Sequence, residues 1–220
     1  FLTRPSVLWL GPQALTPTIV TGLVAAGAVM LGMIPMLTLA VCWMCYLSLV
    51  TAGAVFLNHP GDTLLLEIGF LAIFWAPCSW WLNGPRVRRP STLIRWVLIW
   101  LLIRITILSG WSTLTSTTTG IEVPIQHLWT HPLPIWTAWS AWQLPAWLQN
   151  FLMLAAITVE LGMPILLLLP RVPRLVAFVA LASIQVGLIL TSNDGFLHFL
   201  MLVLCVVVLD DSQLLWLWIA

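Results

Sequence analysis

Residues 57 to 81, LNHPGDTLLLEIGFLAIFWAPCSWW, form an apolar run of membrane-spanning length with a carboxylate, Glu67, set inside it. No feature narrows the possible folds more. Backbone amides in a bilayer must be satisfied within their own segment, so such a run spans as a helix. An ionisable side chain on that helix faces a bundle interior, a wet cavity or a partner of opposite charge. Before it, Asn58, His59, Pro60, Gly61 and Asp62 supply a turn and a cap, with Asp62 placed to accept amide hydrogens from the first helical turn.

The rest of the chain fits the same solvent. Of its 220 residues, 61% are apolar and 7% charged, and the mean hydropathy is +1.05. These values specify an all-α, polytopic membrane helix bundle and exclude a soluble domain. The net charge of +1, with no basic stripe, excludes a nucleic-acid partner. All the cations are arginine, which removes lysine general bases and Schiff-base chemistry. Cys42, Cys45, Cys78 and Cys205 all lie in apolar runs; the CxxC spacing of the first two reads as small buried hydrophobes rather than a redox pair. No cofactor and no metal is expected.

Hydropathy and turn residues place about seven transmembrane helices in one domain covering 1–220, at about 16–32, 36–56, 62–81, 91–111, 146–169, a sixth that follows the short loop marked by Arg171 and Arg174 and runs to about Thr191, and 196–209. Residues 1 to 12 show no cleavable signal pattern. The segment from about 112 to 145 reads as polar and extramembrane. Arg86, Arg88, Arg89, Arg171 and Arg174 occupy two alternate loops, so those loops are expected to be cytoplasmic. His59, Asp62, residues 112–145 and Ser192 to Gly195 then fall on the exoplasmic side.

Depth along the helices suggests which charges meet. At about 1.5 Å per residue, Glu67 lies roughly 8 Å below the exoplasmic surface, Arg104 roughly 10 Å and Glu160 roughly 20 Å. Glu67, Arg104 and Glu160 are therefore expected to form an intramembrane polar core, either a register-fixing ion pair or a proton-handling carboxylate. His59, Asp62, Asn193, Asp194 and His198 form an expected exoplasmic cluster, read as hydrated helix ends rather than a metal or acid/base site, because no ligand motif accompanies them. No phosphate loop or nucleophile elbow occurs. Trp136, Trp139 and Trp142 recur every three residues, with Trp147 just after. They read as an interfacial contact in the aromatic belt or as a surface for a client or pigment.

The stretch YLSLVTAGAVFLNHPGDTLLLEIGFLAIFWAP resembles the region of the lipase maturation factors that carries D-x-L-L-L-E-x-G-F-L-A-I-F-x-A-P. PSVLWLG, LLIRITILSG, THPLPIWTAWSAWQLPAWLQ and LTSNDGFLHFLMLVLCVVVLDD match in family order, so the resemblance covers about residues 5 to 211. It implies a multi-pass membrane protein; animal members reside in the endoplasmic reticulum and assist folding and assembly of secreted dimeric lipases. The motif positions carried over are Asp62, Leu64, Leu65, Glu67, Gly69 and Phe70, then Arg104, Ser109 and Gly110. Pro132, Pro134, Gln143, Leu144 and Pro145 follow, then Asn193, Gly195, Phe196, Asp210 and Asp211.

Against the family pattern, a first membrane helix before Phe1 and a following soluble domain are expected to be absent, and in place of a cysteine pair with a lysine after Ser109-Gly110 stands WSTLTSTTTGIEVPIQHL. The fold is also similar to the membrane part of vitamin K-dependent carboxylases, whose lysine base has no counterpart here. The function expected from the resemblance is a membrane accessory for folding or assembly of a secreted or membrane client. Two alternatives are a structural subunit of a larger integral membrane complex and a membrane enzyme using Glu67 or His59 as base. Membrane lipid and a protein partner, either a secreted client or other integral subunits, are expected. The host is a bacterial cell membrane or the endoplasmic reticulum, according to source.

Overall fold

The computed structural model describes residues 12–53, 59–77, 91–118, 136–170, 172–192 and 195–209. They form eight α-helices and, among the described residues, no strand. In chain order these are α1 (Leu15–Met30), α2 (Pro35–Ala52), α3 (Pro60–Trp75), α4 (Thr92–Thr118), α5 (Trp136–Trp142), α6 (Ala146–Leu166), α7 (Val172–Thr191) and α8 (Gly195–Val208). The fold is all-helical. Four helices, α2, α4, α6 and α7, are long and apolar enough to cross a membrane, while α1 and α8 are shorter apolar helices. At 1.5 Å per residue, the 20 residues of α7 and the 21 of α6 each reach about 30 Å, the thickness of a hydrocarbon core.

Apolar helices still carry hydroxyls, and these are satisfied locally. Thr18 donates to the Ala14 carbonyl at 2.7 Å, Ser48 to Met44 at 2.8 Å, Thr106 to Leu102 at 2.8 Å and Thr158 to Leu154 at 2.7 Å. Each bond runs back one turn, so the hydroxyl needs no water and no second helix. Among the described residues, no buried side-chain nitrogen or oxygen lacks a partner.

The helices gather into two compact units, residues 1–96 and 97–220. In the first, α1 packs on α2 and α2 on α3. The turn between α1 and α2 is short because Gly32 adopts φ 71°, a left-handed conformation that costs a residue with a Cβ. Gly32 N–H donates to the Val29 carbonyl at 2.9 Å and Met33 N–H to Ala28 at 3.0 Å, the paired bonds of a Schellman cap. Gly22 lets α1 approach α2, since a Cβ there would lie 3.2 Å from that of Cys45.

In the second unit, α7 packs on α8, α6 on α7, and the short α5 against α7. Pro164 sits inside α6 and cannot donate to the Glu160 carbonyl one turn earlier. The α4 helix, expected to end near Trp111, runs on to Thr118. No proline or glycine interrupts residues 111–119, and the Thr113 and Thr115 hydroxyls bond back to Ser109 and Trp111, each at 3.0 Å. The expected extramembrane segment therefore begins as helix and contains α5 near its end.

Candidate functional site

The polar residues of the first unit lie along the seam between α2 and α3. The hydroxyl of Tyr46 on α2 donates to Asp62 on the first turn of α3 at 2.5 Å. One turn deeper, the Trp43 indole N–H donates to the Leu66 carbonyl at 2.8 Å. A Cβ on Gly69 would stand 3.2 Å from the Trp43 ring, so this approach needs a glycine. Phe70 lies 5.4 Å from Trp43 and 5.1 Å, edge-on, from Phe74, continuing the seam as aromatic contact. Asp62, expected to cap α3, has its carboxylate turned to Tyr46. The cap is His59, whose Nδ1 accepts from Gly61 N–H at 3.3 Å, with Pro60 at the first helical position where a missing N–H costs nothing. Glu67 follows on α3, half-buried.

In the second unit, the carboxylate of Glu160 on α6 is buried, with the residue only 6% exposed. The Ser109 hydroxyl of α4 hydrogen-bonds it. Gly110 is the contact point of the two helices: a Cβ there would meet the Glu160 Cβ and the Leu161 Cγ, each at 3.0 Å. Ser109 and Gly110 thus act together, one satisfying the carboxylate and the other admitting its helix. Glu160 is level with Gly110 rather than below Arg104, which lies six residues, about 9 Å, back along α4. The longer course of α4 accounts for about half of the difference from the expected depth order, because seven more helical residues, about 10 Å, follow Trp111.

At the α7/α8 hairpin, His198 Nδ1 and Gln185 Oε1 are 2.8 Å apart, and Gln185 is 2% exposed. At the α5/α6 corner, the buried Gln149 amide donates to the Trp142 and Leu144 carbonyls at 3.0 and 2.9 Å. Arg174 on α7 donates through Nε to the Leu167 carbonyl at the end of α6, at 3.3 Å. Its position also suits the negative end of that helix.

These placements divide the expected residues. Glu67 belongs to the first unit and Arg104 and Glu160 to the second, so the pairing of Glu67 with Arg104 stays an expectation from helix depth. Arg104 lies on an exposed side of α4. Of the expected exoplasmic cluster, His59 and Asp62 are engaged with Gly61 and Tyr46, and His198 with Gln185. Asn193 and Asp194 lie outside the described residues, as do Cys78, Arg86, Arg88, Arg89 and Arg171. Trp136, Trp139, Trp142 and Trp147 are all exposed. The sequence reading did not single out Tyr46, Trp43, Gln185 or Gln149 as site residues. One signal was present: Tyr46 is the only tyrosine in the chain, and it stands in a spanning helix.

Residues 1–216 match the family model described as the lipase maturation factor transmembrane domain. The chain is 36% identical over 225 residues to lipase maturation factor 2 of Xenopus laevis, covering 96% of this chain and 32% of that protein. It is 35% identical over 232 residues to the Homo sapiens lipase maturation factor 2, covering 96% and 33%. With lipase maturation factor 1 of Mus musculus it shares 31% identity over 182 residues, 81% of this chain and 32% of that protein. The chain thus spans about a third of the length of these relatives. No solved structure gives a significant match. A match running from Phe1 to Trp216, over spanning helices laid out in the same order as the motifs, establishes that the chain belongs to the lipase maturation factor family.

Proposed function

We propose that this chain is a membrane-embedded accessory that assists folding or assembly of a client protein, presenting its exoplasmic ends to that client. The observation that carries the proposal is the match along 96% of the chain to proteins named as maturation factors. The polar contacts support it: Tyr46 with Asp62, Ser109 with Glu160 and Gln185 with His198 each tie two helices together, the work of a scaffold. In this reading Glu67, Arg104 and Glu160 hold helix register and no residue is catalytic. The arginine-bearing loops face the cytoplasm, and the membrane is that of the bacterial cell or the endoplasmic reticulum.

Purification from the source membrane in mild detergent, with identification of what co-elutes, tests this. Substoichiometric secreted hydrolases are expected. A fixed ratio to other integral membrane proteins would instead identify a structural subunit. Glu67→Gln and Glu160→Gln are expected to keep client maturation; loss of it in either variant with the fold intact would favour the enzyme reading.

A further inference from the structure

We infer that α5 is an in-plane membrane helix, its tryptophans seated in the headgroup boundary of the leaflet where α6 begins. The argument starts from where α5 is fastened. Its C-terminal carbonyl, at Trp142, and that of Leu144 both accept from the buried Gln149 amide on the first turn of α6. Pro145 stands between with ψ 144°, an extended residue that prevents α5 and α6 from forming one continuous helix. From its other side, the Thr137 hydroxyl donates to the Leu190 carbonyl in the last turn of α7. Thus α5 is bound to the start of one helix of spanning length and to the end of another. Both mark the same edge of the hydrocarbon.

The faces of α5 agree with that level. At 3.6 residues per turn, Trp136, Trp139 and Trp142 spread over an arc of about 120°. Thr137, which bonds to α7, lies opposite that arc, and Ala138, about 40° round the helix from Trp142, is buried at its border. Trp136 is 90% exposed in the isolated chain, and Trp147, on the first turn of α6, 71%. Outward-facing apolar side chains lie lower on the spans, Phe151 and Leu154 on α6 and Val186 on α7. A tryptophan combines an apolar body with one N–H donor, the chemistry of the zone between acyl chains and headgroups. Residues 136–149 contain no charged side chain, so the attachment depends on the boundary itself and not on anionic lipid.

The test uses the full chain, labelled with 5-fluorotryptophan and reconstituted in phosphatidylcholine nanodiscs. Four 19F resonances are assigned by their loss in W136F, W139F, W142F and W147F. A nitroxide near the lipid carbonyls is expected to broaden all four several-fold more than either a bilayer-centre nitroxide or an aqueous gadolinium chelate, equally in anionic and zwitterionic lipid. Broadening by the chelate without effect of either lipid probe would overturn the inference and make the ridge a protein-docking surface in water. Strongest broadening from the bilayer centre would overturn it by placing α5 within the span. Loss of the carbonyl-probe effect on removal of anionic lipid would overturn the boundary mechanism in favour of charge.

Discussion

Tyr46 reaches Asp62 across sixteen positions of chain, and the bond closes the mouth of the α2/α3 hairpin. Tyr46→Phe keeps the ring and removes only the donor. Since a hydrogen bond to a carboxylate is worth about 1.5–3 kcal/mol, and this one is half-buried, a loss of about 1–2 kcal/mol is expected on reversible unfolding in detergent. A double-mutant cycle with Asp62→Asn should show coupling, and strict additivity would remove the bond from the account. Ser109→Ala acts on a deeper group. It strips a donor from the buried Glu160 carboxylate and should cost about 1–3 kcal/mol, with Ser109→Thr retaining most of the stability. An unchanged melting curve for the alanine variant would contradict this. At this scale the sequence was only half legible. Glu67 and Glu160 are visible because a charge in an apolar run has no ordinary explanation. The neutral partners of other polar groups are harder to see: Tyr46, which bonds Asp62, and Gln185, which meets His198, attract no notice until the fold brings them alongside, and Ser109 is marked only by the family resemblance and not as the partner of Glu160.

Helix contacts carry the next set of expectations. At Gly110 a methyl group would press the Cβ of Glu160 and the Cγ of Leu161, each at 3.0 Å. The higher helix propensity of alanine, about 1 kcal/mol, is outweighed by the cost of overpacking, typically about 1–3 kcal/mol. Gly110→Ala should therefore destabilise the protein. Gly187→Ala is the control, because nothing lies within 4 Å of its Cβ position, and it should be neutral or stabilising by up to about 1 kcal/mol. Equal effects at the two positions in equilibrium unfolding would show that the contact between α4 and α6 is not close.

The helices themselves were largely readable, since runs of apolar residues bounded by Pro, Gly and Arg determine spans through a single property, transfer to lipid. Helix ends outside that property were less so. The α4 extension to Thr118 is built from Ser and Thr, residues that occur equally in loops, and its hydroxyls commit to helix carbonyls only once the helix has formed. Likewise α5, seven residues long, lies inside a segment whose composition reads as polar connection, and only its tryptophan spacing marked it.

For the whole molecule, membership of the lipase maturation factor family and an all-helical membrane fold follow from residues spread along the chain, which is why both were legible from the sequence. Orientation is the first expectation at this scale. A Gly120→Cys variant should react with an impermeant maleimide added on the exoplasmic side, and Gly84→Cys only after permeabilisation; the opposite pattern would invert the topology drawn from the arginine loops. The client relationship is the central claim, and its most direct measurement is the specific activity of secreted hydrolases from source cells lacking this protein, compared with cells in which it is restored. A fall in activity per secreted molecule, with aggregated enzyme retained and both reversed on restoration, is the expected result. Full activity and normal secretion without the protein would contradict a maturation role.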